Sequence, residues 1–573
     1  MTVKFSLKKW AFLLALGFSG ATFAATNTAL PNVELTGQLL YQIMASEIAL
    51  QRNEPALAYQ TYMQMARSTK DPRLAQRAFQ IADAVHAFAD AQKAGELWTE
   101  LAPGNADAQL ADLLAAIRTG QMTPEIRKEA EKIIQSATTK EKRQQFFQAI
   151  TIQADLSGAP AAKVLEFIRP LALLLKDREQ AALALAKLYR VTGDTKQGAA
   201  FALKAYQQMP DNTAALLEYA DSLLKAQPGK ATSEIEKFVK KHPDDMQAQL
   251  ALAKAYAHQK NVQGIQKQLR ILEPFAERSG ALAYTLASVT DAARMDNDTK
   301  RLLLLFERLA QGDSSLSERL PQTHLSLGLL DFRQKHFEAA INWLSKVPAK
   351  SDFYTQARLL QAQALVELNR SKEAIHLLDK TVVKNKDAQA ELLHKKAQIL
   401  YASGKLRESY SAMRDALDKA PENPALLYQC ALLAVEDKQY KDAEQFLRKA
   451  IDLYPDRADF YNTLGYLWVE QNTKLDEAQA MLEKALSLDP ENAAILDSIG
   501  WLHFKLGNYA QAQSYLEKAA QRYKDREILL HLAELYHAQG QTSKAMAILR
   551  PMLQAAPNDA TLDAFMERLH LHF

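Results

Sequence analysis

One periodicity governs what this chain can fold into. A small residue followed four positions later by a large apolar one returns at almost constant spacing through the C-terminal half. The small residues are Ala340, Ala374, Ser409, Ala443, Ala478, Ala512 and Ala545, separated by 34, 35, 34, 35, 34 and 33 residues. The large ones are Leu344, Leu378, Met413, Leu447, Leu482, Leu516 and Leu549, and Val347, Thr381, Ala416, Ala450, Ala485, Ala519 and Met552 follow three positions on. Spacings of three and four place these residues on one face of a helix. A second small residue stands twelve positions upstream, at Gly328, Ala362, Ala397, Ala431, Gly500 and Ala533. At Gly465 the offset is thirteen, because the segment 470–476 holds one extra residue. Gly404, Gly507 and Gly540 lie seven residues beyond the upstream position, where a tight turn between two helices wants positive φ. Pro421, Pro455, Pro490 and Pro557 lie twelve beyond the downstream one, where proline stops a helix. The chain therefore reads as a ladder of helix pairs whose members approach closely at small residues.

These features resemble the tetratricopeptide repeat, a helix pair of 34 residues. The resemblance covers about residues 320–573 and implies an all-α solenoid, a right-handed superhelix with a concave groove lined by the first helix of each pair. Upstream the pattern loosens. Gly193, Ala205 and Pro210 mark one unit, Ala220 to Pro243 marks another that is a residue short, and 246–274 carries a further pair. Before residue 180 amphipathic helices are legible, as in 37–44 and 127–134, with fewer marker positions. The expected organisation is a leader at 1–24, a divergent helical region at 25–180, degenerate repeats at 181–320 and regular repeats at 321–573. Composition agrees with helix. Glycine is only 19 of 573 residues, against the roughly 7% of average usage, which disfavours folds built on many glycine turns.

The first residues read as a secretory signal. Lys4, Lys8 and Lys9 precede the short apolar run 10–18, and small residues at Thr22 and Ala24 offer a cleavage site. The run is shorter than the ~20 residues that span a bilayer, so a cleaved leader is expected rather than an anchor, and no transmembrane span is expected in the mature chain. No cysteine follows it, so no lipidation site is expected. Removing 1–24 takes away three lysines and lowers the formal charge from +3 to 0. A neutral mature chain carries no overall electrostatic signature for nucleic acid. The single cysteine, Cys430, excludes an internal disulfide and any multi-cysteine metal site, and its place beside Ala431 predicts a buried thiol. No H-E-x-x-H, G-x-S-x-G or phosphate-loop motif occurs, so neither a cofactor nor a catalytic residue is expected.

The informative positions are those of the first helix expected to face the groove: three before, one after, and four to five after the upstream small residue. They select Tyr428, Asn462, Tyr466, Glu470, Asp497, Trp501, Phe504, Lys505 and Glu534 as a candidate partner-binding groove, and Leu432, Val435, Glu436, Val469, Leu530 and His537 fall at the same positions. Aromatic side chains there are binding anchors if they meet solvent and core if they pack against the next repeat. Some tetratricopeptide domains clamp a partner's terminal carboxylate with Lys and Asn. The aligned positions here are His394, Gln398, Gln429 and Asp459, which lack that clamp.

Tyr461-Asn-Thr-Leu-Gly-Tyr-Leu467, the run Leu488–Trp501, and Glu34-Leu-Thr-Gly-Gln-Leu-Leu-Tyr41 are similar to segments of Gram-negative envelope tetratricopeptide proteins. Well-known members are lipoprotein adaptors that bind a carboxyl-terminal processing protease and deliver substrates to it. The resemblance implies a non-enzymatic periplasmic scaffold with protein partners, namely such a protease and its substrates. A structural part of a polysaccharide export or secretion complex is the alternative.

Overall fold

The computed structural model describes residues 33–156, 160–175, 181–224, 226–556 and 558–571. The expected leader and Pro557 lie outside the described residues. Among those described there are 32 helices and no strand. The chain divides into two compact units, residues 1–302 and 303–573. Within each, consecutive helices pair through short turns.

The second unit is built as the periodicity requires. Ala340, Ala374, Ser409, Ala443, Ala478, Ala512 and Ala545 are all fully buried, and the leucine or methionine four residues on is buried in every repeat. The upstream small residues face those side chains. A Cβ added to Gly500 would lie 2.7 Å from Leu516 Cγ, and one added to Gly328 would lie 2.6 Å from Leu344 Cγ. A side chain at either site would force the facing leucine to shift, so glycine lets helix 493–505 pack directly against Leu516 of helix 509–522. At Ser409 the small residue is polar, and its hydroxyl is satisfied by donating to the Ala397 carbonyl at 2.8 Å. Cys430 is buried as expected, and burial pushes its thiol up to about 12.

The turns repeat too. Gly404, Gly507 and Gly540 have φ of 71°, 77° and 73°. In the remaining repeats of this unit the same position holds Lys335, Asn369, Lys438 and Asn472, with φ of 60°, 60°, 60° and 50°. The first unit uses the same device: Asn53, His86, Gly120, Gly193, Lys260 and Arg294 all have positive φ, two residues past the end of a first helix. Its opening helix, Gly37–Gln51, leaves Leu40, Tyr41, Met44 and Ile48 exposed along one side.

Candidate functional site: the first-helix face of the second unit

The first helices Lys386–Ala402, Pro424–Glu436, Ala458–Glu470, Ala493–Lys505 and Arg526–Ala538 succeed one another along the unit. Asn385, Asn423, Asn492 and Asp525 start four of them, each side chain accepting backbone N–H groups of the first turn. Side-chain bonds run from each to the next. His394 Nε2 donates to Gln429 Oε1 at 2.7 Å, Thr463 Oγ1 donates to Tyr428 Oη at 3.3 Å, and His531 Nδ1 donates to Asp497 at 2.9 Å. Each rung joins the residue three before the small position to the residue two before it in the next repeat. Between 458–470 and 493–505 this rung is absent among the described residues, because the Ser498 hydroxyl donates to the Ala494 carbonyl of its own helix. Of the receiving residues Gln429, Thr463 and His531, only Gln429 stands out in the sequence, as a clamp-aligned position. The signal they share is the recurrence of polar residues on an otherwise apolar face.

At the C-terminal end the rung thickens into an aromatic cluster. Trp501 stacks on His531 with ring centres 4.0 Å apart and planes 15° apart, and on Phe504 at 4.6 Å and 8°. Its indole N–H donates to Glu470 Oε1 at 2.6 Å, and Lys505 Nζ sits 4.7 Å from its ring centre. Both faces of the indole are thus covered, and Trp501 is only 4% exposed. The expectation that it presents a free face to a partner is corrected: the ring joins two repeats because the neighbouring first helix supplies a flat partner, His531. Asp497 is buried with it. Tyr466 is half-buried, its ring centre 6.2 Å from that of His531, and it donates its hydroxyl to Glu527. Burial first, and then this bond to a carboxylate, hold its phenol far above the usual range.

The other candidates divide. Glu470 and Lys505 are exposed, whereas Phe504, Tyr428 and Asn462 are half-buried. The Tyr428 ring centre lies 5.8 Å from that of Phe460. Asn462 Oδ1 is buried without a hydrogen-bond partner among the described residues. Glu534 accepts two bonds from Arg568, at 2.8 and 2.6 Å. What stays open to solvent lies further N-terminal on the same face. Leu329, Tyr401 and Leu432 are 41%, 49% and 40% exposed. Among the described residues, no cluster of three or more His, Cys, Asp or Glu could hold a metal ion, and no helix is long and apolar enough to cross a membrane.

This geometry, helix pairs with a polar rung between successive first helices and an open face beside it, defines a helical-repeat protein. Models of the tetratricopeptide repeat match residues 400–465, 470–528 and 503–569, and another matches 226–264. These segments carry tetratricopeptide repeats, whose general use is the binding of other proteins. A curated relative, TPR repeat-containing protein PA4667 of Pseudomonas aeruginosa, is 29% identical over 503 residues, 86% of this chain and 82% of that one. Two solved structures are similar to the chain. TTC0263, a tetratricopeptide-repeat protein of Thermus thermophilus, is 23% identical over 32% of this chain and 100% of its own, with a TM-score of 0.29. The Cut9–Hcn1 complex of the APC/C is 12% identical over 87% of this chain and 96% of its own, with a TM-score of 0.31.

Proposed function

We propose that the chain is a non-enzymatic scaffold that binds protein partners along the first-helix face of its second unit, and that it works in the periplasm as an adaptor presenting substrates to a carboxyl-terminal processing protease. The observation that carries the binding role is the open apolar row of Leu329, Tyr401 and Leu432, at groove positions of three repeats whose remaining large side chains are mostly packed away. Large apolar side chains displayed on the first-helix face offer contacts to a helix or an extended segment of another protein. The periplasmic and adaptor roles rest on the leader-like residues 1–24 and on the similarity of 461–467 and 488–501 to envelope adaptors.

A photo-crosslinking residue at Leu432 in the full chain, expressed in a Gram-negative host, tests both parts. The expected result is a covalent adduct with a processing protease or its substrate in the periplasmic fraction, and none from the same residue placed at Glu477 on a second helix. Equal capture from both sites, or adducts confined to cytoplasmic proteins, would contradict the proposal.

A further inference from the structure

The charges on the open face indicate what kind of segment it accepts. Residues 303–573 hold 36 carboxylates and 33 lysines and arginines, so the unit as a whole is nearly balanced. The balance is not shared evenly. At the groove positions of its seven repeats (three before the small residue, and one, four and five after it) there are five carboxylates. The position one turn earlier on the same helix face, six before the small residue, adds Glu391, Asp459 and Glu527 to make eight. The fixed cations at all of these are Arg333 and Lys505. The surface outside the groove therefore carries a small cationic excess, and the acid is concentrated where the apolar row lies.

Four of these carboxylates are exposed and oriented by neutral donors. Glu436 accepts from the Tyr401 hydroxyl at 2.9 Å, Glu470 from the Trp501 indole at 2.6 Å and Glu367 from the Gln363 amide at 3.0 Å, while Glu527 accepts from Tyr466. None of the four is in an ion pair among the described residues. A neutral donor fixes the direction of a carboxylate without cancelling its charge. Several second-helix carboxylates are paired instead: Arg370 pairs with Glu338 and Glu373, and Lys474 and Arg448 both pair with Glu444, while Glu483 and Glu517 accept from neutral donors. Of the other groove carboxylates, Glu534 is paired with Arg568, Asp459 with Arg457 and Asp497 with His531, which leaves Glu367, Glu436, Glu470 and Glu527 oriented and unpaired on the first-helix side.

We propose that this face receives a basic amphipathic segment of the partner protein. Its lysines or arginines meet Glu367, Glu436 and Glu470, and its apolar side chains cover Leu329, Tyr401 and Leu432. The proposal rests on the reading of the face as a protein-binding surface and adds the partner's chemistry. An acidic segment or a nucleic-acid backbone would meet like charge along the whole row, which costs affinity and slows association.

The test is fluorescence anisotropy of the full chain with three labelled helical peptides: Lys/Leu amphipathic, Glu/Leu with the same apolar pattern, and Lys/Ser with the same charge and no apolar face. The Lys/Leu peptide should bind at least about tenfold more tightly than either of the others, with affinity falling as salt screens the exposed carboxylates. The double variant Glu436→Gln/Glu470→Gln should lose about tenfold in affinity for it. The variant Asp476→Asn/Glu477→Gln, with the same change of net charge on a second helix, should lose less than about twofold. Both variants keep side-chain shape and hydrogen-bond acceptors, and an unchanged melting profile confirms that each is folded. Equal losses in the two variants, tighter binding of Glu/Leu, or equal binding of Lys/Ser would each overturn the proposal. If crosslinks at Leu432 still capture a specific partner while the peptides are not discriminated, the charge assignment fails and the binding face stands. If the crosslinks fail as well, the face itself has been misread.

Discussion

Between the helices Pro72–Ala84 and Phe88–Leu101 of the first unit, Phe79 meets Trp98 with ring centres 6.2 Å apart. Between Pro424–Glu436 and Tyr440–Leu453 of the second unit, the corresponding positions, seven before the positive-φ turn and nineteen further on, are Ala431 and Ala450, both fully buried. The turn that follows the first helix of each pair is the same device, His86 with φ 58° in one and Lys438 with φ 60° in the other. The backbone geometry of the repeat is therefore more constant than the side chains that fill it. The same two places hold a pair of rings in one helix pair and two alanines in the other, and each pair is packed without leaving these residues exposed.

The largest expected effects break each kind of packing by the change it cannot absorb. Phe79→Ala should destabilise the first unit by about 3–5 kcal/mol, since truncating a buried ring leaves a cavity that rigid helices fill poorly. Ala443→Trp should destabilise the second by about 1–3 kcal/mol or more, since Ala443 is fully buried in the packed core and an indole has no room there. Because each repeat contacts mainly its neighbours, hydrogen exchange should show the loss concentrated in the altered and adjacent pairs. Uniform loss across the whole chain would contradict the repeat description.

A smaller effect separates the units electrostatically. In the second, the buried Asp497 is matched by His531. In the first, Asp112 is half-buried, and burial, reinforced by Glu129 and Glu96, raises its carboxyl to about 7. Its unfolded value is roughly 4, so between pH 4 and 7 the folded chain keeps a proton that the unfolded chain has released. Stability contributed by this group therefore falls as pH rises through that window, and the penalty is complete above 7. Asp112→Asn should stabilise helix Ala106–Arg118 at pH 8 by about 1–2 kcal/mol, a value discounted for the carboxyl's remaining access to water. The gain should shrink toward pH 4, and hydrogen exchange at several pH values reads it. A gain independent of pH would show that desolvation of the charge is not its cause.

The smallest effect concerns the turns. Gly404→Ala should cost about 1 kcal/mol, because φ of 71° is strained for any residue with a Cβ. Lys438→Gly should change stability by less than that, as relief of strain offsets the extra freedom of glycine in the unfolded chain. Thermal melts of the two variants compare them directly.

These turns also explain how much could be read from the sequence. The second unit was legible because its contacts are made by glycine, alanine and leucine at fixed offsets, and three of its turns use glycine. The first unit hides the same architecture. Asn53, His86 and Gly120 are spaced by 33 and 34 residues, yet only one is glycine, and the residues seven before them are Ser46, Phe79 and Leu113. A left-handed turn can be held by lysine or histidine when the helices on either side fix it, and nothing in the identity of those residues reveals it. The groove positions were located by register alone, which says where a side chain starts but not how the next repeat meets it. Trp501 shows the limit, because its burial depends on His531 in another repeat. Tyr401 occupies an equivalent position in its repeat, and its exposure is what distinguishes it.

The first-helix face has two parts, an open row around Leu432 and a closed structural cluster around Trp501. Measuring Lys/Leu-peptide affinity and thermal stability together on Tyr401→Ala/Leu432→Ala and on Trp501→Ala tests this division most directly. The double variant should weaken binding by roughly tenfold with its melting temperature nearly unchanged, as exposed residues allow. Trp501→Ala should lower the stability of the C-terminal repeats by about 3–5 kcal/mol. The reverse pattern, normal stability with lost binding for Trp501→Ala and lost stability for the double variant, would contradict the division.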